Sequence, residues 1–205
     1  MVKNIVVTIT FFVTGLLARE WIETGTSRPS EPVWLVNSIS ENQLEISFDL
    51  GGYFVEDLAN GNNKITFPGG VPNLDEGTPD LPKMAQSIII PDLAHMELTI
   101  LETDFVDVSM EDIVSSKGNL IRNIDPSTIS FTYGKAYQTD EFYPHNIVFM
   151  RDPYIMRTVR GQAVVFQPIQ YNPIQRTLRV YTHIKVNIQQ NGVSQINPLT
   201  RRPAN

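Results

Sequence analysis

The segment from Leu178 to Ile188 constrains this chain more than any other. Leu178, Val180, Thr182, Ile184, Val186 and Ile188 alternate with Arg179, Tyr181, His183, Lys185 and Asn187. A period of two places one set on each face of a β-strand, one face toward a core and the other toward water. No segment of comparable clarity carries the period of an amphipathic helix.

Other segments repeat the pattern. Leu44, Ile46, Phe48 and Leu50 share a face opposite Glu45, Ser47 and Asp49, and Tyr53–Leu58 and Lys64–Phe67 continue around the turn-forming Asn60-Gly61-Asn62. Strands are expected at Ser87–Ile90, at Glu97–Leu101 and, after a phase slip or bulge, at Phe105–Val108. More follow at Ile129–Tyr133, Ile147–Met150 and Tyr154–Val159. Ala163-Val164-Val165-Phe166 is a short continuous apolar run, the mark of a strand buried on both faces. Asn172-Pro173 predicts a hairpin turn joining it to the last strand. Ser109 with Asp112 predicts one capped helical turn, and residues 115–126 are turn chemistry throughout. The expected fold is all-β, an antiparallel β-sandwich with long irregular loops and at most one or two short helical turns.

The ends read differently. Residues 1–18 carry one lysine and then an apolar run from Ile5 to Ala18, the pattern of a signal peptide and too short for a mature membrane span. Residues 19–40 read as a linker with the first strand, 41–190 as the sandwich, and 191–205 as a tail or linker. That tail ends in Arg201-Arg202, a candidate processing site. No other segment is long and apolar enough to cross a membrane, so secretion to the periplasm, the medium or the cell surface is expected.

Composition narrows the function. Among 205 residues there is no cysteine, and the three histidines, His95, His145 and His183, are widely separated. That excludes disulfides, thiolate metal sites and a cysteine nucleophile, and leaves no paired-histidine metal motif. Twenty-two acids against 16 bases, net charge −6, argue against nucleic-acid binding. Asp75, Glu76 and Asp80 lack the spacing of a calcium loop. The pairs Asp104/Asp107 and Glu111/Asp112 read as exposed strand and turn residues. Neither catalytic residues nor a metal or cofactor are expected. A secreted β-module of this kind works by binding, through a loop or a sheet edge.

Seven short motifs stand in order: Gly77-Thr78-Pro79-Asp80-Leu81-Pro82, Ser116-Lys117-Gly118, Tyr133-Gly134, Asp152-Pro153-Tyr154-Ile155, Val159-Arg160-Gly161-Gln162, Gln170-Tyr171-Asn172-Pro173 and Thr177-Leu178-Arg179-Val180-Tyr181-Thr182. In this order and spacing the chain resembles, from about Leu44 to Ile188, the amino-terminal propeptide of the gingipain family, the C25 cysteine peptidases. The resemblance implies a bacterial secreted zymogen and a β-sandwich that aids folding of its enzyme and covers the active-site cleft. The partner it implies is a C25 catalytic domain, in cis or in trans. In arginine-specific members a propeptide arginine occupies the S1 pocket. Its position, six residues after the serine of Ser-Lys-Gly, falls here on Arg122. Lys117 is a second candidate, with Gly118 in the same loop. The rival expectation is a surface β-sandwich for adhesion or assembly with no peptidase partner.

Overall fold

The computed structural model describes residues 19–58 and 61–200. The expected signal peptide, Asn60 and the Arg201-Arg202 pair lie outside these residues.

The last strand organises one sheet. β13 (Thr177–Val193) pairs antiparallel along one edge with β8 (Ala94–Ser109). Along the other it pairs first with β12 (Ile169–Asn172) and then with β3 (Gln43–Asp49). β3 in turn pairs with β2 (Val33–Ser40). Leu178, Val180, Ile184, Val186 and Ile188 are all fully buried, as their alternation predicts. The two strands expected at 97–101 and 105–108 are one strand, β8. Its register against β13 shifts between Tyr181 and His183 and again between Lys185 and Val186. Each bulge moves the facing residues by one and so exchanges faces, which is the slip seen in the sequence.

In a second sheet, β11 (Val159–Phe166) lies between β7 (Pro82–Ile89) on one edge and both β10 (Tyr154–Met156) and β9 (Val148–Met150) on the other, with the short β6 (Val71–Pro72) beyond β7. Val164, Val165 and Phe166 are all buried. β1 (Arg19–Glu23), β4 (Gly52–Asp57) and β5 (Asn63–Thr66) form a third, three-stranded sheet. All three sheets contribute to one continuous core. At its centre Phe48 of β3 stacks on Phe166 of β11 with ring centroids 5.0 Å apart, and Trp34 of β2 meets both edge-on. Aromatic pairs of this geometry add to the burial of their area.

Five local expectations change. β11 does not form a hairpin with β13: after Phe166 the chain crosses between sheets at Gln167-Pro168, and the Asn172-Pro173 turn joins β12 to β13. The Asn172 side chain, accepting from the backbone N–H groups of Ile174 and Gln175, holds that turn. Residues 129–133 form no strand, because Phe131 and Tyr133 are spent on loop packing. Val159 begins β11 instead of ending the strand before it, since Arg157, at φ 60°, turns the chain. No helical turn begins at Ser109; among the described residues the helical turns are two 3-10 turns, Pro126–Thr128 and Lys135–Tyr137. Trp21–Pro32 is no free linker. Trp21 packs edge-on against Phe54, and the backbone N–H groups of Thr24, Gly25 and Thr26 all donate to the carbonyl of Gly51.

Residues 191–199, expected as tail, are fastened to the body. The Ser194 N–H donates to Leu93 and the Leu199 N–H to Asp92. Among the described residues no helix is long and apolar enough to cross a membrane, a statement that does not concern β-barrels.

Candidate functional site: an arginine turn on a three-strand base

Three of the sequence motifs meet in space. The extended segment 113–116 runs antiparallel to Gly77–Asp80: the Gly77 N–H donates to Ser116, the Ser116 N–H to Thr78 at 2.7 Å, and the Asp80 N–H to Val114. On its other side it pairs with Asn63, through Asn63 N–H to Asp112 and Val114 N–H to Asn63. Gly134 closes the third side, its N–H donating to the Gly77 carbonyl at 2.7 Å. A Cβ built on Gly134 would stand 3.0 Å from that oxygen, so any side chain there would push the two backbones apart by a few tenths of an ångström. Gly77-Thr78-Pro79-Asp80, Ser116-Lys117-Gly118 and Tyr133-Gly134 thus form the base from which residues 118–134 project.

Gly118, at φ +77°, turns the chain out of this base. A Cβ there would lie 3.1 Å from that of Glu76. The Gly118 N–H donates to the buried Ser116 hydroxyl at 3.2 Å. Six residues later the Ile124 N–H donates to the Ile121 carbonyl, making a tight turn with Arg122 as its first central residue. Arg122 is exposed, and its guanidinium has no hydrogen bond or ion pair to any described residue. Asp125 ends the excursion by capping the following 3-10 turn, accepting from the Ser127 N–H at 2.9 Å. That bond, with help from the Ser127 hydroxyl and the charge of Lys117, holds the Asp125 carboxyl below the usual carboxylate range.

Lys117 is placed differently from Arg122. Its ammonium donates to the Pro126 carbonyl at 2.7 Å and lies 4.1 Å from the centre of the Phe131 ring. It is directed into the loop's own base. Beside the loop opens a cleft of about 480 Å³, with Leu58, Leu74, Leu120 and Phe131 among its apolar walls and Ser115 and Asp80 as polar members. Burial pushes the Asp80 carboxyl up, with Lys64 acting against the shift. Tyr137 anchors the far side by donating from its hydroxyl to Ile113 at 2.8 Å, and its burial pushes the phenol well up. Tyr133, packed on Tyr137, accepts from the Asn62 side chain. The roles of Phe131, Pro126 and Glu76 were not read from the sequence. The only signal for them was the order of the three motifs.

The arrangement presents an exposed cation. Ser116 takes the Gly118 N–H and no histidine approaches it. His183 is paired with Asp49 at 2.6 Å on the first sheet, and His145 faces Glu141 at 3.9 Å. Among the described residues no three metal-ligating side chains are gathered.

The fold is a β-sandwich, and this turn leaves one arginine exposed on its surface. A family model described as Propeptide_C25 matches residues 30–200. The chain is 37% identical over 137 residues to gingipain R1 of Porphyromonas gingivalis, covering 67% of this chain and 14% of that protein. Lys-gingipain of the same organism is 23% identical over 167 residues, covering 78% and 9%. The chain therefore spans less than a fifth of the relatives it matches. Among solved structures, the complex of the pro- and mature domains of P. gingivalis RgpB matches with a TM-score of 0.73 at 31% identity, over 79% of this chain and 87% of that one. A structure bearing on the zymogenic latency of gingipain K matches at 0.72 and 20% identity, over 85% and 100%, and shows the shared fold. The chain belongs to the Propeptide_C25 family. It is a pro-domain and not the catalytic part.

Proposed function

We propose that this domain keeps a secreted C25-type cysteine peptidase latent by lying over its active-site cleft with Arg122 in the S1 pocket, and that it assists folding of that enzyme. The observation that carries the reading is Arg122 itself: an exposed, unpartnered guanidinium on a tight turn, held out from a rigid base. A free guanidinium suits a pocket carboxylate, which it meets with two parallel hydrogen bonds. The base matters because a loop ordered before binding loses little entropy on binding. Within one precursor the effective concentration is high, so modest intrinsic affinity suffices for latency and is lost once the linker is cut. Arg201-Arg202 supplies the site for that cut by an arginine-specific enzyme, and residues 1–18 direct export.

The test is to titrate the 205-residue chain, and the same chain with Arg122→Ala, against a mature arginine-specific C25 peptidase. Inhibition by the first, weakened at least tenfold in the second, is expected. Equal inhibition by both would refute insertion of Arg122. Inhibition by neither would refute cleft blockade in trans and favour an adhesion or assembly module.

A further inference from the structure

Residues 118–125 leave the base at Gly118 and return at Pro126. The backbone hydrogen bond between Ile121 and Ile124 shapes the tip of this excursion but does not join its two feet. One side chain does. Lys117, the last residue before the excursion, reaches across to the first residue after it, donating to the Pro126 carbonyl at 2.7 Å. The ammonium also rests on Phe131, farther along the returning segment, at 4.1 Å. A charged donor on a carbonyl is stronger than a neutral one, and an ammonium over an aromatic face adds to it. The remaining contacts of the feet are separate: Gly118 belongs to the outgoing foot through Ser116, and Asp125 caps the returning foot through Ser127.

We propose that Lys117 is a positioning residue, a latch that closes the feet of the Arg122 loop and makes it an inhibitor in place of a substrate. The inference rests on the reading of Arg122 given above. A peptide bond after an arginine in a loose loop is what an arginine-specific peptidase hydrolyses: water adds across Arg122–Asn123, leaving a carboxylate on one and an amine on the other. With both feet latched, the loop enters the S1 pocket already shaped. It also resists the stretching and separation of ends that hydrolysis requires. Lys117 thus has a different task from Arg122: it does not enter the pocket, and its charge is directed inward.

The experiment uses the full 205-residue chain and a mature arginine-specific C25 peptidase. It measures the inhibition constant and, by mass spectrometry, the rate of cleavage after Arg122. Lys117→Met keeps the aliphatic stem and removes the ammonium. The expected result is inhibition about tenfold weaker, equivalent to about 1.4 kcal/mol, with faster cleavage after Arg122 and an unchanged far-ultraviolet circular dichroism spectrum. Lys117→Arg, which can still donate to Pro126 and stack on Phe131, should restore both properties. Phe131→Leu, which removes only the ring, should shift both in the same direction by less. Wild-type inhibition and cleavage in Lys117→Met would overturn the latch, as would failure of Lys117→Arg to differ from Lys117→Met. If Lys117→Met does not fold, the Phe131→Leu and Lys117→Arg results decide alone. Arg122→Ala separates the two levels. Undiminished inhibition by that variant sinks the reading of the site. Its loss, with Lys117→Met indistinguishable from wild type, sinks only the latch.

Discussion

Arg160 is fully buried, and its guanidinium donates to four backbone carbonyls: Pro91 at 3.0 Å on the loop before β8, Ala94 at 2.6 Å at the start of β8, and Ile196 at 3.0 Å and Asn197 at 2.8 Å on the exit segment. Asp92 acts on it electrostatically, opposing the downward push of burial on its pKa. Arg160→Met keeps an unbranched apolar stem and removes every donor. Each hydrogen bond from a charged donor is worth about 1.5–3 kcal/mol, but their sum overstates the loss, because the buried guanidinium's own desolvation opposes it. The Ile196 and Asn197 carbonyls can rehydrate if the exit segment lifts. The Pro91 carbonyl keeps the Ala94 N–H at 3.2 Å, so of the two carbonyls in the body only that of Ala94 loses its buried donor, at about 1–3 kcal/mol. The expected net cost is therefore about 2–3 kcal/mol, or on the order of 8 °C in Tm for a domain of this size. Urea unfolding at constant m-value gives the first number. Hydrogen exchange tests the mechanism, since the Ser194 and Leu199 amides bond to the loop that Arg160 holds and should lose protection before the core does. A midpoint within about 0.5 kcal/mol of wild type, or exit-segment amides as protected as before, would refute the reasoning.

Two further outcomes follow from the same structure. Gly118→Ala forces a side chain into φ +77° against Glu76, and should cost about 1–2 kcal/mol of left-handed strain plus the crowding. Gly61→Ala, at φ +81° with nothing near its Cβ, is the control, and differential thermal denaturation isolates the crowding. Asp107→Asn removes the charge and one of the two oxygens that accept 2.8 Å hydrogen bonds from Arg179, and partial exposure of the pair limits the cost to about 0.5–1 kcal/mol at pH 7. Arg179 holds the Asp107 carboxyl below its ordinary 3.8. The contribution is therefore full above pH 3.8 and is lost as pH falls through the lower folded value. Urea midpoints of the two proteins should differ at pH 7 and converge in strong acid.

Where a strand has one buried face, its residues announce it. Leu178–Ile188 and Leu44–Leu50 were readable because burial on one side selects every second residue, and even the slip in β8 showed as a break in that alternation. Pairing was not readable in the same way. Val164-Val165-Phe166 fits the centre of either sheet, and only packing against Phe48 and Trp34 assigns it to β7 and not to β13. Phe131 and Tyr133 imitate a strand because a loop that covers Lys117 and Tyr137 also needs spaced aromatics. Arg122 was picked out by its place after Ser116-Lys117-Gly118. Composition and periodicity alone treat it as any loop arginine.

By itself the sequence determined the class of fold, the want of a cysteine nucleophile and the family, because alternation, composition and motif order are local or additive properties of the chain. Tertiary structure decided what no local property contains. It decided that Gly77, Ser116 and Gly134 meet in one base. It also decided that Lys117 turns inward while Arg122 points out, and that Arg160 binds the exit segment from within the core. Those outcomes depend on which carbonyls happen to lie within reach of each cation once the sheets have closed, a distance that the spacing of residues along the chain does not encode.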